Sequence, residues 1–256
     1  MGYEVDDTFD LVQDTPEEHI DWSVYSEHYD NLCSANPAYL ENIEDLVSRI
    51  SSWELPANAS VCDVGAGTGS FTIALASEIP NANLHHLDFD PAMTAIARKK
   101  YAEVGLNVSI HENDVRTINL PNSTFDLLIC VNTIYSIPEH DVVLKKIRDW
   151  TKPNGRLYII DFGRKVALLD WAVYILRDRV RKLGIRDTIR WYLDNSQNLK
   201  QNRKGANAQA AGSYWLHSTE EFRASLENAG WFVDEIKTCY RDCCDLAVCS
   251  NPANPP

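Results

Sequence analysis

The sequence predicts an α/β protein whose core is a doubly wound, mostly parallel sheet of seven strands. Short apolar runs typical of buried strands alternate with amphipathic helical stretches between residues 61 and 161. A glycine-rich turn, Gly65-Ala66-Gly67-Thr68-Gly69, joins the first strand to the helix after it. Two further strands close the chain with no helix between them, which predicts an antiparallel hairpin at the sheet edge.

The predicted elements follow one another in a regular order. Strands are predicted over residues 61–64, 83–88, 107–111, 125–131, 156–161, 231–240 and 245–250. One helix is predicted directly after the glycine turn. Further helices are predicted over residues 92–101, 142–150, 167–183, 185–199 and 218–229. Trp22, Tyr25 and Tyr29 share one face of an N-terminal helical segment, because they lie three and four residues apart.

These elements predict four regions. Residues 1–55 form an acidic tail and a helical lid, and residues 56–162 with 218–250 form the α/β core. Residues 163–217 interrupt the strand–helix alternation and are expected to form a helical cap insert over a substrate pocket; a decorative subdomain or a dimer surface is the alternative. Residues 251–256 are expected to be a disordered tail.

The composition indicates a globular protein and limits its partners. The chain has 256 residues, of which 45% are hydrophobic, which is enough for a core without disulfides. Its formal net charge of −13 disfavours nucleic acid and an anionic membrane surface as partners. Several of the seven cysteines fall in apolar runs, and the N-terminus is acidic where a signal peptide is basic. We therefore expect a cytoplasmic monomer or homodimer without a bound metal.

The glycine turn has the properties of a binding loop. Gly65, Gly67 and Gly69 can adopt positive φ and admit a ligand close to the backbone, beside the unpaired N–H groups that begin the next helix. A dinucleotide-binding turn places its third glycine one position later, where this chain has Ser70. Asp63 would repel a pyrophosphate and suits a cationic ligand. A tight turn without a ligand is the alternative.

Three acidic residues follow predicted strands. Asp88 lies 19 residues beyond Gly69, where doubly wound sheets place an acid that binds ribose hydroxyls. Asp90 precedes Pro91, which favours a helix N-cap. Asp114 is either a ligand contact or the first residue of a loop-capping Asx turn.

Asp63-Val64-Gly65-Ala66-Gly67-Thr68-Gly69 closely resembles the cofactor loop of class I S-adenosylmethionine-dependent methyltransferases. Asp88 with Phe89 and Met93, and Asn113-Asp114-Val115 before the fourth strand, resemble the second and third landmarks of that family. The resemblance covers residues 20–250. It implies a Rossmann-like fold, S-adenosylmethionine as the cofactor and methyl transfer to a small molecule.

The resemblance also implies which residues hold the cofactor. Asp88 would bind the ribose, Asp114 and the Val115 N–H would bind the adenine, and Asn132 would touch the methionine portion. The full implied set is Tyr25, Tyr29, Asp63, Gly65, Ala66, Gly67, Gly69, Asp88, Phe89, Met93, Asp114, Val115 and Asn132. For the two tyrosines, ordinary packing onto the sheet is the alternative.

Four residues are candidates to face the methyl acceptor: Tyr135, His140, Tyr214 and His217. His140 also suits the start of the next helix, and Tyr214 suits a core anchor. The acceptor atom, N, O, S or C, stays open, and no His-Asp-Glu arrangement commits to a general base. An acidic protein with a capped pocket favours a small, neutral or cationic, partly aromatic acceptor. The alternatives are a nicotinamide-dependent oxidoreductase and a non-catalytic subunit that binds S-adenosylmethionine.

Overall fold

The computed structural model describes residues 20–253, apart from the side chains of residues 23–24, 27–28 and 197–199. The predicted acidic tail over residues 1–18 therefore lies outside the described residues, as does the end of the predicted C-terminal tail. The predicted tail begins too early. Asn251 is buried and its amide donates a hydrogen bond of 2.8 Å to the Thr151 carbonyl, so the ordered chain continues past Ser250.

A single mixed sheet organises the described residues. Its strands are β1 (Ser60–Val64), β2 (Asn83–Asp88), β3 (Val108–Glu112), β4 (Phe125–Val131), β5 (Thr151–Phe162), β6 (Phe232–Cys239) and β7 (Cys244–Ser250). They lie in the order β3-β2-β1-β4-β5-β7-β6. The first five are parallel, and β7 runs antiparallel to both β5 and β6. The predicted fold class is confirmed.

Helices cover both faces of the sheet and its carboxyl-terminal edge. They are α1 (Trp22–Ser34), α2 (Pro37–Ile50), α3 (Ser70–Ala76), α4 (Pro91–Glu103), α5 (His140–Trp150), α6 (Leu168–Leu183), α7 (Ile185–Asp194), α8 (Ser196–Ala211) and α9 (Thr219–Asn228). A short 3-10 helix covers Ile134–Ser136. Within residues 20–253, none of these helices has the length and apolar character needed to cross a bilayer.

The continuous apolar run of β4 reflects burial on both sides of the sheet. Leu128 and Cys130 pack into the core beneath α5 and α9, whereas Leu127 and Ile129 pack into the core beneath α2 and α3. All four side chains are completely buried. The two faces of the sheet are thus packed against helices. A binding site can therefore form at the edge where the parallel strands end.

Local caps explain where several helices begin. Asp90 caps α4 as predicted, since its carboxylate accepts hydrogen bonds of 2.9 Å from the N–H groups of both Ala92 and Met93. Ser218 and Glu221 form the predicted capping box at the start of α9.

Two of the predicted boundaries differ from the structure by more than two residues. The helix expected over residues 185–199 is two helices, because the buried Asn195 amide donates to the Trp191 carbonyl at 2.8 Å and ends α7. β5 begins at Thr151, not at residue 156, because the backbone N–H of Asn154 pairs with the Asn251 carbonyl at 2.7 Å.

Candidate active site

A cavity of about 530 Å³ lies at the carboxyl ends of the parallel strands. Gly65 and Gly67 follow β1, Asp88 ends β2, Asn132 follows β4 and Phe162 ends β5, and all five line the cavity. Helices α1, α6, α7 and α8 supply the opposite wall. Ligands of open α/β sheets bind at this edge.

The glycine loop is pinned to the end of β2. The N–H groups of Gly65 and Ala66 both donate to the Leu87 carbonyl, at 2.8 and 3.1 Å, and the N–H of Gly67 donates to an Asp88 carboxylate oxygen at 2.7 Å. Gly65, Gly67 and Gly69 all have positive φ, as predicted, at 68°, 54° and 76°. The loop is therefore a fixed feature of the fold.

The three glycines differ in what an added side chain would meet. A Cβ on Gly65 would lie 2.1 Å from the Thr133 hydroxyl, and one on Gly69 would lie 2.2 Å from the Tyr101 hydroxyl. A Cβ on Gly67 would meet no atom within 4 Å. Gly65 and Gly69 thus permit close packing within the protein, whereas Gly67 leaves space for something that enters the cavity.

Asp88 is a buried carboxylate in the cavity wall, with 8% of its surface exposed. One oxygen accepts from Gly67 and the other accepts from the Asp90 N–H at 2.9 Å. Burial raises its pKa above the ordinary value. Each oxygen retains capacity for a second hydrogen bond, so the carboxylate suits a ligand that carries hydroxyl groups.

Asp63 lies beneath the loop and not in the cavity wall. Only 4% of its surface is exposed, and the Thr72 hydroxyl donates to its carboxylate at 2.8 Å. Burial, with a smaller effect of the nearby Asp88 carboxylate, raises the pKa of Asp63 to about 7. Any effect of Asp63 on a ligand would therefore act through the field that it creates below the loop. Ala66 and Gly69 likewise lie outside the residues that line the cavity.

Asp114 and Val115, predicted to bind adenine, do not line the cavity either. The Asp114 carboxylate accepts from the Arg116 backbone N–H at 2.8 Å and from the Arg116 guanidinium at 2.6 Å. These contacts lower the pKa of Asp114, the guanidinium contact most. Val115 is buried in the core beneath α5. The structure thus shows the Asx turn that the sequence left open as the alternative.

Helix α1, predicted to be a lid, lies over the cavity and is held at both sides. Tyr25 and Tyr29 line the cavity with ring centroids 5.2 Å apart, and the Tyr25 hydroxyl donates to the Asn202 side chain on α8. Asp30 accepts from Lys100 at 2.9 Å and from the Thr68 hydroxyl at 2.6 Å, which ties α1 to the glycine loop. Asp30 is not among the residues predicted from the sequence, although it directly follows Tyr29.

Aromatic side chains form much of the remaining cavity wall. Tyr135 is buried, and its ring centroid lies 5.0 Å from those of both Phe162 and Tyr214. Burial raises the pKa of Tyr135 and of Tyr214, so both phenols stay protonated at neutral pH. Further wall residues that share this character are Trp22, Tyr39, Phe89, Trp171, Trp191, Tyr192 and Tyr240.

The two candidate histidines lie outside the cavity wall. His140 is the first residue of α5, and its ring stacks on Trp215 with centroids 3.8 Å apart. The His217 side chain is completely buried, with Nδ1 3.5 Å from an Asp245 carboxylate oxygen and its ring stacked on Phe222. Both histidine rings therefore pack against neighbouring aromatic side chains. Met93 and Asn132 do line the cavity, and Asn132 has a φ of 52°.

Comparisons with known proteins agree with this geometry. A family model described as a methyltransferase domain matches residues 61–155. The chain is 29% identical over 146 residues to a demethylmenaquinone methyltransferase of Deinococcus radiodurans, with 52% of this chain and 61% of the relative covered. It is 28% identical over 105 residues to a ubiquinone/menaquinone biosynthesis C-methyltransferase of Burkholderia multivorans, with 41% and 43% covered. These alignments therefore span less than two thirds of either relative.

A solved structure shares the fold over most of the chain. A SAM-dependent methyltransferase from Aquifex aeolicus superposes with a TM-score of 0.58 at 20% identity, and 88% of this chain and 98% of that chain are covered. Together, the matched domain, the relatives and the shared fold support a class I S-adenosylmethionine-dependent methyltransferase. S-adenosylmethionine is the cofactor of this family, and the site suits it: Gly67 leaves open space, and Asp88 offers a buried carboxylate that can accept hydrogen bonds from hydroxyl groups.

We predict that Gly67→Val weakens the binding of S-adenosylmethionine by on the order of 100-fold, because the side chain would occupy cavity space. Gly105→Val is the matched control. Gly105 also has positive φ, at 68°, a Cβ added there would meet no atom within 4 Å, and the residue lies outside the cavity wall. Calorimetric titration of both variants separates the loss of cavity space from backbone strain. Equal losses of affinity in the two variants would contradict this role for Gly67.

We also predict that Asp63→Asn changes how stability depends on pH. The raised pKa of Asp63, about 7 against an ordinary 3.8, means that its ionisation opposes folding. The contribution of protonated Asp63 to the free energy of unfolding is fully present below about pH 4. It is lost as the pH rises through about 7. The free energy of unfolding of Asp63→Asn should therefore rise relative to wild type across that interval. Denaturant titrations at several pH values measure it, and a difference that is constant with pH would contradict the prediction.

Proposed function

We propose that the protein transfers the methyl group of S-adenosylmethionine to a small, largely apolar acceptor that contains an aromatic or quinone-type ring. One observation carries the proposal: the same cavity is lined by Gly67 and Asp88 and by the aromatic wall around Tyr135 and Tyr214. Cofactor and acceptor can therefore lie in one cavity. Apolar pockets with a few placed polar groups are typical of small-molecule sites.

The bound cofactor would supply an electrophilic methyl group on a sulfonium centre. The protein's part is then to bind, orient and exclude water. Gly67 and Asp88 would hold the adenosine end, with Gly65, Phe89, Met93 and Asn132 beside it. Fixing two reactants in a productive orientation lowers a barrier by up to about 7–11 kcal/mol.

The wall offers no evident general base for the acceptor. Among the described residues that line the cavity there is no histidine, and Asp88 and Asp90 lie at the cofactor end, where backbone N–H groups occupy Asp88 and Asp90 caps α4. The phenols of Tyr135 and Tyr214 hold their protons because burial raises each pKa. The acceptor must therefore be nucleophilic through its own chemistry, as an electron-rich ring carbon or a readily ionised oxygen is.

The names of the relatives support this acceptor class. They are methyltransferases of demethylmenaquinone and of ubiquinone/menaquinone biosynthesis, the latter called C-methyltransferases. Quinone rings in their reduced form are electron-rich, flat and ionisable, which suits a cavity lined by aromatic side chains.

The test is an assay with S-adenosylmethionine labelled in the methyl group and a panel of hydroquinones, phenols, amines and thiols. We expect label in the hydroquinones or phenols and a rate that rises with pH as the acceptor ionises. His140→Asn and His217→Asn should keep the same pH profile, because neither histidine lines the cavity. Loss of the rising limb in either variant would show that a histidine is the base.

Label in the amines alone would contradict the acceptor class. Oxidation of a nicotinamide cofactor would favour the oxidoreductase alternative. Cofactor binding without transfer to any acceptor on the panel would favour a non-catalytic subunit.

A further inference from the structure

Two helices of the cap expose apolar side chains in an ordered pattern. On α6, Leu169, Val173, Leu176 and Leu183 are all exposed and recur at three-, four- and seven-residue intervals, so they share one face. On α7, Ile185, Ile189 and Leu193 are four residues apart and 57–70% exposed. Contiguous apolar stripes on a surface mark interaction sites, in contrast to isolated exposed residues.

Basic residues border both stripes. Arg177 and Arg181 continue the four-residue spacing of Val173 and so lie along one edge of the α6 stripe. On α7, Arg186 and Arg190 lie beside Leu193 when the helix is viewed down its axis. All four arginines are exposed.

The charge of this hairpin is opposite to that of the whole chain. Over α6 and α7, from Leu168 to Asp194, there are six Lys and Arg residues and four Asp residues, whereas the chain has a net charge of −13. The net charge of the whole chain, which disfavours an anionic membrane surface, therefore does not describe this segment. The charge is segregated: the cap hairpin is basic and the rest of the chain is acidic.

We propose that the α6–α7 hairpin docks on an anionic lipid surface. An exposed apolar stripe bordered by arginines is the chemistry of helices that lie in a membrane interface, where the stripe enters the acyl boundary and the basic groups meet lipid phosphates. A second copy of the chain is a poorer occupant. A two-fold contact would set this basic face against a copy of itself.

The docking surface adjoins the cavity. Leu169, on the α6 stripe, is 86% exposed and also lines the cavity, as do Trp191 and Tyr192 on α7. If the proposed function holds, docking would set the cap of the methyltransferase against the bilayer, and an apolar acceptor could enter without crossing water.

The test is co-sedimentation of the full chain with vesicles of phosphatidylcholine alone and of phosphatidylcholine mixed with phosphatidylglycerol. We expect binding to the mixed vesicles that weakens with added salt, and little binding to the neutral ones. Leu176→Ser/Ile189→Ser/Leu193→Ser should reduce binding by roughly tenfold or more. Arg177→Gln/Arg181→Gln/Arg186→Gln/Arg190→Gln should also reduce it and remove its salt dependence.

Val104→Ser/Val142→Ser/Phe232→Ser is the matched control, because these side chains are 55–66% exposed on other elements. It should bind vesicles as wild type does. No binding to mixed vesicles, equal binding to neutral ones, or an equal loss in this control would overturn the proposal. So would a wild-type dimer, seen by sedimentation velocity, that the stripe variant dissociates.

Each variant is also titrated with S-adenosylmethionine. A variant that binds the cofactor as wild type does is folded, so its loss of vesicle binding reflects the docking surface. Because no arm of the experiment measures methyl transfer, a failure of docking and a failure of the proposed function are distinguishable.

Discussion

The hydrogen bond from the Gly67 N–H to the Asp88 carboxylate, 2.7 Å long, is the contact on which the site depends. It joins the loop after β1 to the end of β2, and the two N–H groups that bind the Leu87 carbonyl reinforce it. Because Asp88 is buried, the bond lies where the local dielectric is low and hydrogen bonds are strong. The loop and the carboxylate are thus positioned before any ligand arrives, and the polar end of the cavity is preorganised.

The lid is held differently from the loop. Asp30 and Lys100 keep 38% and 23% of their side chains exposed, and partly exposed ion pairs contribute about 1 kcal/mol or less. The contact from Tyr25 to Asn202 on α8 is also polar. Helix α1 also buries Leu32, so apolar packing adds to these polar contacts, whereas the sheet beneath it, with β4 buried on both faces, is held by close packing throughout. Entry to the cavity is therefore expected to go through α1 and the cap helices.

What the sequence predicts well is local or lies within one strand–helix unit. The glycines, the Asp90 cap and the apolar run of β4 each depend on neighbours a few residues away, and the structure shows them as predicted. The role of a residue is harder to predict when its partners lie far away along the chain. His217 is held by Asp245, 28 residues later in the chain, and the Tyr25 hydroxyl donates to Asn202 on α8. Net charge is likewise a sum over the chain and does not tell where the charges lie.

The central claim is that one cavity holds the cofactor at its glycine-loop end and the acceptor at its aromatic end. A crystal structure of the protein with S-adenosylhomocysteine tests it most directly. The account predicts ribose hydroxyls on the Asp88 carboxylate, a close approach of the ligand to the Gly67 backbone, and a thioether sulfur that faces Tyr135 and Tyr214. A ligand bound outside this cavity, or one whose sulfur faces away from the aromatic wall, would contradict it.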